Sequence, residues 1–150
     1  DTNLVDGFKA KGFNYIDNYE QLAQLPRGEK ALGLFADKGL PWALDDSNKH
    51  RLSAMTKTAI TQLENEQGFF MLVEASQIDW GGHGNDIAAA MAEMDDLAKT
   101  LVKTVTTYGN LKFYAAWLCH QPPLVKFWLM KRSLKPRSAK CLTLPLLTLN

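Results

Sequence analysis

Phe69-Phe70-Met71-Leu72-Val73 constrains the fold more than any other part of the chain, because five apolar residues run there without a polar interruption. A strand with one face in water alternates apolar and polar residues. An unbroken run therefore predicts a strand covered on both faces, as in a parallel sheet sandwiched between helices. Glu74 ends it, and a loop containing Asp79, Gly81, Gly82 and His83 follows. A helix is predicted from Asn85 or Asp86 onward, with Ile87, Met91, Met94, Ala98, Leu101, Val102 and Val105 on one apolar face. Asn85 or Asp86 suits its N-cap and Gly109 its stop, while Lys99 and Lys103 complement the dipole near its end. Strand, loop and helix in that order make the repeating unit of an α/β sheet.

The upstream residues fit the same class. Phe13, Tyr15 and Ile16 alternate as a strand would, and a helical segment is expected around Tyr19 to Leu25. Ala31 to Ala36 is a short apolar run bounded by charged residues, read as a buried strand, with Gly39 and Pro41 in the loop after it. Between Arg51 and Gln67, apolar residues at 52, 55, 59, 60 and 63 return to one helix face, and Gly68 is the expected stop. No internal repeat is visible. No apolar stretch is long enough to span a bilayer, and the first residues carry neither the basic nor the apolar segment of an export signal.

Spacing places a candidate site after the Phe69–Val73 strand, since ligands in parallel α/β sheets collect beyond the C-terminal ends of strands. The Glu74 carboxylate suits magnesium, a hard cation that prefers oxygen ligands. The Asp79 oxygen and a neutral His83 nitrogen, four residues apart, can hold one zinc ion. Paired glycines, lacking Cβ, let such a loop turn tightly enough to aim both side chains inward. On spacing alone, acidic loop residues and a surface histidine are the commoner explanation.

The surrounding text goes further than the spacing. Phe69-Phe-Met-Leu-Val-Glu74 followed by Ser76-Gln-Ile-Asp79-Trp-Gly-Gly-His83 closely resembles the metal-binding segment of the alkaline phosphatase family, of bacterial type. Gly33-Leu-Phe-Ala36, Leu40-Pro-Trp-Ala-Leu44 and Leu52 to Thr56 resemble the approach to that segment. The likeness covers roughly residues 4 to 110, as an internal piece of such an enzyme. It implies part of a three-layer α/β/α fold with a mostly parallel central sheet. It also implies hydrolysis of phosphate monoesters with two zinc ions and a magnesium, a homodimer for the full-length enzyme, and a periplasmic or secreted location. Carried over by position, Glu74 is a magnesium ligand, Asp79 and His83 share one zinc, and Trp80 lies on the substrate side, or else packs under the loop. The family's nucleophilic serine, its phosphate-binding arginine and its first aspartate ligand are expected upstream of Asp1. One metal-ligand cluster without the nucleophile implies little activity from this chain alone.

Charge divides the chain near Gly109-Asn110. Residues 1–110 hold 10 Lys and Arg against all 16 Asp and Glu, for a net −6, whereas residues 111–150 hold 7 basic residues and no acid, for a net +7. Both cysteines and four of the six prolines lie in that second part. Where the family continues with an apolar strand and a Thr-Ala-Asp-His ligand motif, this chain has Leu111 to His120 with no carboxylate. Residues 1–110 are therefore read as a partial alkaline-phosphatase-like domain, and 111–150 as a basic tail of out-of-frame or unrelated origin. The competing reading is a noncatalytic protein that binds a polyanion through this tail, although four prolines interrupt any long amphipathic helix there. Neither a specific nucleic acid nor a membrane is an expected partner.

Overall fold

The computed structural model describes residues 3–109, and the backbone of the strands at 112–119, 123–132 and 140–141. The side chains of the basic tail, Cys119, His120 and Cys141 included, lie outside the described residues, and with them the polyanion reading.

Helix α1 (Leu4–Ala10) is capped by Asn3, whose side chain accepts the Val5 amide. Strand β1 (Asn14–Ile16) pairs in parallel with β2 (Ala31–Gly33), Asn14 opposite Ala31 and Ile16 opposite Gly33. The segment between them is a 3-10 helix, Tyr19–Gln24, started by a reciprocal cap in which Asn18 accepts from the Gln21 amide and the Gln21 side chain accepts from Asn18. Helix α2 (Arg51–Leu63) covers the apolar periodicity and ends before the expected stop at Gly68. Asn65 stops it by donating its side-chain amide to the Leu63 carbonyl and accepting the Gln67 amide. Gly68 then enters strand β3 (Gly68–Glu74) at φ +87°, a conformation open mainly to glycine.

Along β3, Phe69, Met71 and Val73 are buried, while Phe70 and Leu72 on the other face are half-buried. The buried set meets Leu52, Ala59, Ile60 and Leu63 of α2, Ile78 of α3 (Gln77–His83) and Leu97 of α4 (Ile87–Thr107) to form the core. In the second sheet the strand order is β4 (Lys112–Cys119), β5 (Pro123–Arg132), β3, β6 (Lys140–Cys141). β5 runs antiparallel to β3, whereas β6 runs parallel to it. Among the described residues no helix is long and apolar enough to cross a membrane.

Helix α4 differs from expectation in orientation. Its limits are as predicted, and Asp86 is the N-cap, accepting the Ala89 amide at 3.0 Å. Its buried face, however, is Ala89, Glu93, Asp96, Leu97, Thr100 and Thr104. The predicted apolar stripe faces outward, with Ile87 78% and Met91 64% exposed. The polar face can turn inward because its groups find partners: Thr100 and Thr104 donate to carbonyls one turn back, and Glu93 meets a buried arginine.

Candidate functional site

A helix, not a loop, carries Asp79 and His83. Ser76 starts α3, accepting the Asp79 and Trp80 amides on its carbonyl at 3.1 and 3.3 Å. The helix closes when Gly84 donates to the Trp80 carbonyl at 2.9 Å. Asn85, at φ +52°, then turns the chain into α4. The glycines accordingly serve a different purpose from the one the sequence suggests. A Cβ on Gly81 would stand 2.9 Å from the Ala90 nitrogen and 3.1 Å from its Cα, so glycine lets α3 lie directly on the α4 backbone. The Trp80 ring, half-buried, lies against Gly39.

On α3, Asp79 and His83 are one turn apart and share a face. Asp79 Oδ2 lies 3.6 Å from His83 Nε2. The aspartate is 5% exposed and its Oδ1 has no hydrogen-bond partner among the described residues, whereas the His83 side chain is 59% exposed. A buried carboxylate oxygen without a donor is costly, and a cation is one partner that would satisfy it. Glu74 does not join them in a ligand group. Among the described residues no group of three or more His, Cys, Asp or Glu side chains is arranged to hold a metal ion, which overturns the expected metal-ligand cluster of Glu74, Asp79 and His83. The reason lies in the backbone. Glu74 closes β3, while Asp79 and His83 project from a helix that begins three residues later.

Sequence reasoning missed what fixes this helix. Arg51, 2% exposed, donates to Asp46 at 2.9 Å, to Glu93 at 2.6 Å, to the Gln77 side-chain oxygen at 2.9 Å and to the Pro41 carbonyl. Glu93 also accepts the Ala43 amide at 2.8 Å, and Gln77 donates to the Leu40 carbonyl at 2.6 Å. One guanidinium thus ties the 40–46 loop, α2, α3 and α4 together, two residues before Asp79. Burial lowers its affinity for a proton, but hydrogen bonds and charge from Asp46 and Glu93 outweigh that, and it stays charged. Nearby, Tyr19 stacks on Phe35 with ring centres 4.7 Å apart, and its buried hydroxyl is pushed up to about 12 by burial, with Arg51 opposing.

Asp96 sits in the same polar layer. Its Oδ2 accepts the Leu52 amide at 3.4 Å, and its Oδ1 has no partner among the described residues. Burial raises its carboxyl above the usual range, against the Leu52 amide and Arg51. A raised carboxyl in the folded state favours the protonated form. Its contribution to stability is fully present below the unfolded carboxylate range and is lost as pH rises through the higher folded value. Asp96→Asn keeps an oxygen for the Leu52 amide and never ionises. It should melt a few degrees above the parent at neutral pH and lose the advantage in acid; a melting difference that stays constant from acid to neutral pH refutes this.

Residues 1–110 match the family model described as alkaline phosphatase. The chain belongs to the alkaline phosphatase family. It is 46% identical over 98 residues to alkaline phosphatase 3 of Bacillus subtilis, covering 64% of this chain and 21% of that one. The crystal structure of a cold-active alkaline phosphatase from Shewanella sp. superposes with a TM-score of 0.67 at 41% identity, over 75% of this chain and 29% of that chain. A mutant TAB5 alkaline phosphatase with Mg bound superposes at 0.54 and 17% identity, over 87% and 49%, a likeness of fold alone. These likenesses bear out the α/β alkaline-phosphatase fold read from the sequence. The chain spans about a fifth of the length of the curated alkaline phosphatase it matches at 46% identity.

Proposed function

We propose that the chain forms one wall of the active site of a metal-dependent phosphate monoester hydrolase, contributing Asp79 and His83 to a zinc ion. The observation that carries this reading is the buried Asp79 Oδ1, without a hydrogen-bond partner among the described residues, on a carboxylate whose other oxygen lies 3.6 Å from an exposed imidazole. An oxygen and a nitrogen donor suit zinc, but a catalytic zinc takes three protein ligands, so the rest of the set comes from beyond this pair. When bound, zinc supplies a Lewis acid that polarises a phosphoryl oxygen. The chain itself positions the donors. Gln77 and Arg51 hold the start of α3, Gly81 seats it on α4, and the i, i+4 spacing aligns the two ligands.

In the same reading Glu74, a hard oxygen at the end of β3, serves magnesium apart from the zinc pair, and Trp80 lies on the substrate side. A homodimer and a periplasmic or secreted location belong to the whole enzyme, supported by the family to which the chain belongs. Residues 1–110 form part of the phosphatase domain and 111–150 a basic tail of unrelated or out-of-frame origin, although its strands β5 and β6 pair with β3. The family match, which stops at residue 110, supports that division.

Calorimetric titration with zinc tests the pair. The unaltered chain should bind zinc weakly, and Asp79→Ala and His83→Ala should each weaken binding by about tenfold or more. Equal binding by all three proteins would show that the ligands lie elsewhere.

A further inference from the structure

We propose that Lys126 of the basic tail is a built-in cation that competes with magnesium for Glu74. The proposal rests on the reading of Glu74 as a magnesium ligand and adds what regulates that position. Strand β5 pairs with all seven residues of β3, from Gly68 opposite Arg132 to Glu74 opposite Lys126. It also runs against α3, the helix of Asp79 and His83. The tail therefore reaches the C-terminal end of β3, beside the candidate ligands.

Register decides which residue meets Glu74. Phe70, Met71, Leu72 and Val73 stand opposite Met130, Leu129, Trp128 and Phe127, and the next pair after these apolar ones is Glu74 with Lys126. A slip of one residue would turn β5 over, face for face, and set Glu74 opposite Val125 or Phe127. A slip of two would set it opposite Leu124 or Trp128. The observed register alone among these gives the carboxylate a basic partner. On its other side Lys126 stands opposite Ala116 of β4, and β4, β5 and β6 contain no acid, so Glu74 is the one carboxylate in the four strands. Facing positions in an antiparallel ladder share a face of the sheet with Cβ atoms about 4.5–5.5 Å apart, close enough for opposite charges to attract. The competition is unequal. Magnesium keeps several waters and gains little from one carboxylate, whereas the lysine is tethered opposite it and repels a divalent ion as well.

Titration of the full 150-residue chain with Mn2+ tests the competition, because this ion favours the same oxygen ligands and its free form is counted by electron paramagnetic resonance. Circular dichroism establishes that each variant is folded, and Lys126→Met replaces Lys126→Gln if that fails to fold. Lys126→Gln should tighten Mn2+ binding by about tenfold, while Lys126→Arg should bind as the parent does. Adding Glu74→Gln to Lys126→Gln should remove the gain. Equal binding by the parent and Lys126→Gln overturns the competition, as does a gain that survives Glu74→Gln. If Glu74→Gln still weakens binding in the first of those cases, the magnesium reading of Glu74 stands without the competition. If Glu74→Gln changes nothing in either background, that reading fails as well.

Discussion

Arg51→Ala is expected to cost about 3–5 kcal/mol, enough to unfold a chain of this size, because it strands buried carboxylates that the guanidinium now neutralises. Glu93 loses its ion pair, Asp46 its hydrogen bond and Gln77 the donor to its side-chain oxygen. The residue is nearly invisible to solvent, so water cannot take over these contacts. Chemical denaturation monitored by circular dichroism measures the loss. The double change Arg51→Met with Glu93→Leu discriminates the cause, since removing both charges should restore much of the stability that the single change loses. A single variant within about 0.5 kcal/mol of the parent would mean that the network carries no weight.

Gly81→Val should cost about 3 kcal/mol, at the upper end of what an overpacked contact does. The obstacle at Gly81 is the Ala90 backbone, not a flexible side chain, so α3 has to lift away from α4. Replacing glycine within a helix ordinarily helps, by about 1 kcal/mol for alanine, and a stabilised Gly81→Val chain would show that the close approach is not tight. If Asp79 and His83 hold zinc as proposed, the same displacement should weaken its binding, because both ride on α3.

The proximity of Asp79 and His83 was legible in the sequence because the interval of four residues brings them together in a helix as well as in the loop first expected. Gly81 and Gly82 hid the helix, since glycine favours turns unless a neighbouring backbone demands its small volume. The strand at Phe69–Val73 and the limits of α4 were legible from hydropathy and capping. The orientation of α4 was not. Positions 93, 96, 100 and 104 also recur at helical spacing, so this helix carries two stripes, and hydropathy selects the apolar one. What reverses the choice is Arg51, whose partners lie 5, 26 and 42 residues away, distances over which local periodicity carries no information.

The seven residues of α3 are too few to persist as a helix in isolation. Gln77 fastens them at one end to the Leu40 carbonyl and to Arg51, and at the other the Asp86 amide reaches back to the Gly81 carbonyl at 2.9 Å. Fraying, the usual fate of so short a helix, is thereby linked to disruption of α2, α4 and the 40–46 loop. Asp79 and His83 keep their mutual placement for as long as that larger unit stays closed, and the free energy of opening at the pair becomes that of the cooperative unit around it.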